Sequence, residues 1–127
     1  MIAVDTSALM AIVLGEPEAG ACIGAIESEQ HVLISAGTVA EALIVSARRN
    51  VKSEVEQIID ELGFEVMSVS LASARRVALV YEQWGKGMNA AGLNFGDCFA
   101  YEVAKAHDCP LLFVGADFAR TDIKSVL

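Results

Sequence analysis

Asp5, Glu41, Asp97 and Asp117 are the residues whose types and placement point to chemistry. Asp5 closes the apolar run Ile2-Ala3-Val4, and Asp117 follows Leu111–Val114 across Gly115-Ala116. Glu41 stands among Val39, Ala40, Ala42 and Leu43, and Asp97 follows Asn94-Phe95-Gly96. Each acid has a purely structural reading. Asp5 can cap the helix it precedes. Thr38-Val39-Ala40-Glu41 fits a capping box, in which the glutamate reaches back to the threonine amide. Asp97 complements a helix dipole three residues after an asparagine cap, and Asp117 suits a turn beside glycine. Together they ask for more. Two acids at strand ends and two at helix starts can converge on one rim of a sheet, where carboxylates repel unless a cation neutralises them. An all-oxygen donor set favours Mg²⁺, with Mn²⁺ as a substitute. Phosphodiester hydrolysis is the natural chemistry of such a centre, because it needs no nucleophilic side chain.

The elements that must position these acids alternate along the chain. Ile2–Val4 reads as a strand, followed by a helix over Ser7–Leu14 and a second helix from about Pro17. His31–Ser35 is the next strand, and Thr38–Asn50 is helical, with Val39, Leu43 and Ala47 on one face. Lys52–Leu62 carries an apolar stripe of Val55, Ile58, Ile59 and Leu62, and Gly63 stops it. Phe64–Val69 is a strand, Leu71–Trp84 an amphipathic helix, and Gly85–Asn94 the one long loop. A helix over Phe95–His107, a strand over Pro110–Val114 and a short edge strand near Ile123–Val126 complete the chain. Strands separated by helices imply right-handed crossovers and a parallel sheet. The expected fold class is α/β, a three-layer α/β/α sandwich with a central, mostly parallel twisted sheet, forming a single domain over 1–127.

Composition sets the surroundings. The chain has 127 residues, 54% of them apolar, with a mean hydropathy of +0.48. Either the core is unusually complete or a partner covers apolar surface. A homodimer is the simplest cover, and the helix Leu71–Trp84, with Val77, Val80 and Trp84 at helical spacing, is the face to test. No apolar run approaches the roughly 20 residues of a membrane span. The start Met1-Ile2-Ala3-Val4-Asp5 lacks the basic region of a signal peptide, so a cytoplasmic location is expected. Cys22, Cys98 and Cys109 are odd in number and read as reduced thiols, and His31 and His107 have no ligand-spaced partners for zinc. A net charge of −8 and a pI near 4.6 argue against a cationic nucleic-acid surface. That objection weakens if some acids bind divalent ions, which reverse the local field.

At these acids the chain resembles the PIN-domain ribonucleases, specifically the VapC toxins of VapBC modules. The matching segments are Val4-Asp5-Thr6-Ser7-Ala8-Leu9, Ser35-Ala36-Gly37-Thr38-Val39-Ala40-Glu41 and Leu93-Asn94-Phe95-Gly96-Asp97-Cys98-Phe99-Ala100-Tyr101. They continue with Leu112-Phe113-Val114-Gly115-Ala116-Asp117-Phe118 and Thr121-Asp122-Ile123, in family order and across the whole chain. The resemblance implies a Mg²⁺-dependent endoribonuclease acting on RNA, held in check by a cognate VapB-like antitoxin in a higher-order complex. It implies a catalytic centre of Asp5, Glu41, Asp97 and Asp117, with Asp5, Asp97 and Asp117 as metal residues and Asp5 and Asp97 as direct ligands. Thr6, Ser7 and Asp122 are auxiliary candidates; Asp122 also has a structural reading. Two departures stand out. Ala116 sits where many relatives carry a polar or acidic residue, and the loop Lys86–Ala91 is less basic than usual before this motif. Arg48, Arg49, Lys52, Arg75 and Arg76 are alternative contacts for the RNA backbone, or solvated helix ends.

Rival readings fail on particular residues. A signalling receiver domain requires paired acids at the end of the first strand and a mid-chain strand ending in Asp, whereas Val4 precedes Asp5 here. An aspartyl-nucleophile phosphatase requires a second Asp two residues after Asp5, where Ser7 stands. A PIN fold surviving as a catalytically weak interaction module stays open through Ala116.

Overall fold

In the computed structural model, which describes residues 1–127, ten elements follow one another. They are β1 (Ile2–Val4), α1 (Thr6–Leu14), α2 (Ala19–Glu27), β2 (Val32–Ser35) and α3 (Ala36–Arg48). Then come α4 (Lys52–Glu61), β3 (Glu65–Met67), α5 (Leu71–Trp84), α6 (Phe95–Ala106) and β4 (Leu111–Leu112). The strands form one sheet in the order β3-β2-β1-β4, and every pairing is parallel.

Strand alternation divides the core into two layers. Ala3, Leu33 and Leu111 lie side by side in register and face α5 and α6, packing with Val77, Val80, Tyr101 and Val103. Ile2, Val4, Val32, Ile34 and Leu112 face the opposite way, onto Leu9 of α1, Ile26 of α2, Ala42 of α3 and Val55 of α4. β1 and β2 are therefore buried throughout, as strands covered on both faces must be. The structure is the α/β three-layer sandwich expected from the pattern. Leu9 and Ile34 are fully buried, and truncating either to alanine costs about 2–5 kcal/mol. No single helix is long and apolar enough to cross a membrane.

The structure corrects four expectations. α3 begins at Ala36 rather than Thr38, because the Ser35 hydroxyl accepts from Gly37 N at 3.1 Å and caps the helix directly off β2. Pro17 lies in the turn before α2, which begins at Ala19. The edge strand near Ile123–Val126 reduces to a single bridge between Leu111 and Ser125. Val77 and Val80 of α5 are buried in the core against α6, so that stripe is unavailable as a dimer face; Leu71 and Leu79 are the exposed apolar residues of the helix.

Candidate metal centre

The chain runs from β1 to β2 to β3 in one direction across the sheet, then returns to place β4 on the other side of β1. In open parallel sheets, sites form outside the carboxyl ends of the strands at such a reversal. Asp5 leaves the end of β1 there. It caps α1 from an extended conformation, and its Oδ2 accepts from Ser7 N at 3.0 Å and from Ser7 Oγ at 2.7 Å. Ser7 Oγ in turn accepts from Val114 N at 3.0 Å, tying the end of β4 to the Asp5 carboxylate. Asp5 is buried, and its Oδ1 has no hydrogen-bond partner. Capping by Oδ2 thus leaves Oδ1 free.

Asp97 opens α6 in a reciprocal box with Asn94. Asp97 N donates to Asn94 Oδ1 at 2.8 Å, and Asn94 N donates to Asp97 Oδ2 at 3.0 Å. Glu41 makes no capping box with Thr38. Because α3 starts at Ala36, Glu41 sits past the first turn, and its Oε1 accepts from Thr6 Oγ1 at 2.6 Å. Asp117 is exposed on the loop beyond β4, which Gly115 turns at φ 96°, a left-handed angle suited to glycine. All four acids, with Thr6, Ser7 and Asn94, line one cavity of about 200 Å³.

Charge accumulates there at a cost. Burial pushes the Asp5 carboxyl up to about 6, against the Ser7 hydrogen bonds that lower it, and Glu41 and Asp117 add repulsion. Burial pushes Asp97 up to about 7, and Asp5, Asp117 and Glu41 each raise it further. The side chains do not converge into a ready-made shell, since no three His, Cys, Asp or Glu groups stand in metal-ligating range. Mg²⁺ needs no such cage: it keeps several of its waters and is bound through one or two carboxylates. The unpartnered Asp5 Oδ1, the carboxylate and hydroxyl oxygens of the lining and the repulsion among the acids fit a hydrated, hard divalent cation.

Asp122 lies elsewhere. Its carboxylate accepts from Tyr101 Oη and, at 3.0 Å, from Lys105 Nζ, and Tyr101 also takes the Trp84 indole N–H at 3.1 Å. These bonds hold the Asp122 carboxyl below its usual range, the Tyr101 bond most of all. It fastens the segment after β4 onto α6 and does not line the acidic cavity. Arg76 is engaged with the buried Glu102, its Nε donating at 2.8 Å, and Arg48, Arg49, Lys52 and Arg75 are exposed away from the cavity. Asn94 is the polar lining residue that sequence reasoning left out of the site, beside the apolar Met10 and Val45. Its signal was the Asn-x-x-Asp spacing to Asp97, visible only as a cap.

A strand-end aspartate, a helix-start aspartate and two further acids around one crevice of a parallel sheet match a known architecture. The PIN-domain family model matches residues 2–124, and the chain belongs to that family. Within the family its similarity falls among the VapC proteins. It is 39% identical over 125 residues to ribonuclease VapC36 of Mycobacterium tuberculosis, covering 95% of this chain and 90% of that one. It is 37% identical over 126 residues to ribonuclease VapC30 of the same organism, covering 97% and 96%. Among solved structures, the fold is similar to VapC20 of M. tuberculosis, described as a sarcin-ricin loop cleaving toxin, with a TM-score of 0.74, 18% identity and coverage of 97% and 96%. A toxin–antitoxin complex from Klebsiella pneumoniae gives 0.72 at 19% identity, covering 100% of this chain and 97% of that one.

Proposed function

We propose that this chain is a Mg²⁺-dependent endoribonuclease that hydrolyses RNA phosphodiester bonds, the toxin of a type II toxin–antitoxin module acting in the cytoplasm. The observation that carries the reading is the buried, unpartnered Oδ1 of Asp5 in a cavity shared with Glu41, Asp97 and Asp117, where burial and the neighbouring acids raise the proton affinity of Asp5 and Asp97. The ribonuclease names of relatives similar over nearly the full chain support the choice of RNA. Asp5 and Asp97 hold the cation, with Mn²⁺ as a substitute for Mg²⁺. When bound, the cation neutralises the acids and lowers the pKa of water in its shell. Ser7 fixes the rotamer of Asp5, and Asn94 fixes that of Asp97, so both carboxylates are preorganised. Glu41, held by Thr6, and Asp117 on the open side are placed to orient water and take up its proton. The test is the purified chain, free of any partner, on total RNA with and without Mg²⁺, beside Asp5→Asn. Cleavage that needs Mg²⁺ and disappears in the variant is expected; metal-independent or undiminished cleavage refutes the reading.

A catalytically weak PIN-fold interaction module is the second reading, favoured by the separation of the acids and by Ala116. Absence of Mg²⁺-dependent cleavage in the same assay would select it. The partners follow from exposed surface. A groove of about 270 Å³ lined by Gly37, Ala40, Ile44, Phe95 and Phe99 adjoins the acidic cavity and shares Glu41 with it. A VapB-like antitoxin laying an apolar helix there can extend an arginine to the acids. A homodimer, assembling with antitoxin into a larger complex, covers the remaining apolar surface. Light scattering that gives a monomer at micromolar concentration refutes the dimer.

A further inference from the structure

Helices α3 and α6 cross with a glycine at each contact. A Cβ placed on Gly96 of α6 overlaps Glu41 Oε2 and its carboxyl carbon and comes within 2.9 Å of Oε1. A Cβ placed on Gly37 of α3 overlaps the Phe99 ring. The interlock is reciprocal: Gly37 receives Phe99, and Gly96 receives Glu41, so residues four apart on α3 mesh with residues three apart on α6. The two contacts differ in kind. Gly37 meets a ring in an apolar groove, whereas Gly96 meets a carboxylate. Gly96 has no backbone need to be glycine, since its φ lies outside the left-handed region and glycine is a poor helix former. What requires the missing side chain is the close approach of Glu41.

We infer that Gly96 is a positioning residue for the acidic site: its bare Cα is the seat on which the Glu41 carboxylate rests. Thr6 Oγ1 grips Oε1 while Oε2 lies over Gly96, one residue from Asp97. The position of Glu41 relative to Asp97 is thereby fixed by the helix crossing itself. A Cβ at 96 meets the far end of Glu41 rather than backbone, so in Gly96→Ala the fold survives and the carboxylate moves. The inference rests on the Mg²⁺-dependent nuclease reading above.

The test compares wild type, Gly96→Ala, Glu41→Asp and the double variant by two readouts. One is kcat for RNA cleavage; the other is the Mg²⁺ concentration giving half of the Mg²⁺-induced rise in Tm. Gly96→Ala is expected to lower kcat about 100-fold, the scale of a 1 Å misplacement. It is also expected to raise the half-effect Mg²⁺ concentration severalfold, while the metal-free Tm holds or increases. Glu41→Asp withdraws the carboxylate by one methylene from position 96. Adding Gly96→Ala to it is then expected to change each readout by no more than about twofold, the mark of two residues acting through one contact. Full additivity, a Gly96→Ala chain equal to wild type, or a fall in metal-free Tm that Glu41→Asp does not relieve each overturns the inference alone. A wild type that neither cleaves RNA nor gains stability from Mg²⁺ overturns the nuclease reading and this inference with it.

Discussion

Asp97→Asn keeps the shape of the side chain and an oxygen for Asn94 N, and removes only the charge. The native Asp97 carboxyl stands at about 7, against 3.8 in an unstructured chain. Between those values the folded chain holds a proton that the unfolded chain releases. The contribution of Asp97 to metal-free stability is therefore full below about pH 4 and is lost as pH rises to about 7. Roughly three tenfold steps at about 1.4 kcal/mol each put the cost of ionising Asp97 in the fold near 4 kcal/mol at pH 8. Asp5 shares in the same repulsion, and a buried amide has its own desolvation cost, so about half of that is the expected gain from the substitution. About 2 kcal/mol corresponds to a Tm roughly 6–10 °C higher for a chain of this size. The assay is thermal melting in EDTA, wild type against Asp97→Asn, at pH 4 and pH 8. The gain is expected at pH 8 and is expected to vanish at pH 4, where Asp97 is already neutral. RNA cleavage is expected to be lost in the same variant. A Tm at pH 8 equal to or below wild type, or an equal gain at both pH values, refutes the electrostatic account of the cavity.

Three further outcomes follow. In saturating Mg²⁺, cleavage by the wild type is expected to rise from about pH 6 to 8 as the acids and the bound water lose protons, and a flat profile contradicts this. Asp122→Ala is expected to leave cleavage within about twofold while lowering stability by about 1 kcal/mol through loss of the Tyr101 and Lys105 bonds, and a hundredfold loss of activity at unchanged Tm returns Asp122 to the site. Inhibition by the antitoxin is expected to weaken at high Mg²⁺ and on replacement of an arginine in its tail; indifference to both, titrated with purified partner, means that blocking is steric.

The layering was legible because Ile2–Val4 and Leu111–Val114 are apolar at every position, and parallel strands buried on both faces admit few other arrangements. The gathering of Asp5, Asp97 and Asp117 at one rim was legible from their places at strand ends and a helix start, whereas Glu41 reaches the same cavity from past the first turn of its helix. The partners of those acids were not. The sequence pairs Thr38 with Glu41 by spacing, yet the Ser35 cap starts the helix two residues earlier, and Glu41 finds Thr6, 35 residues away, instead. Thr38 Oγ1 is left buried without a partner. Asp122 was an auxiliary candidate through its Thr-Asp-Ile setting, with a structural reading beside it, and its bonds to Tyr101 and Lys105 place it outside the acidic cavity. Val77, Val80 and Trp84 show why a helical stripe alone does not name its partner: the same spacing serves a core and an interface.

The bond from Val114 N to Ser7 Oγ spans 107 residues of sequence. It sets the orientation of Asp5 from the far side of the chain, and it exists only while the two-residue strand β4 is docked beside β1. Closing so long a loop is entropically costlier than forming the local helices, so it is expected to come after them. On the proposed reading, arming of the site is expected to require this long-range closure and so to trail the formation of the local helices. A chain that has formed only the elements from β1 to α3 carries Asp5 and Glu41 but lacks Asp97, Asp117 and the bond from Val114 to Ser7. Slippage of β4 alone would disarm the finished protein while leaving most of its core in place.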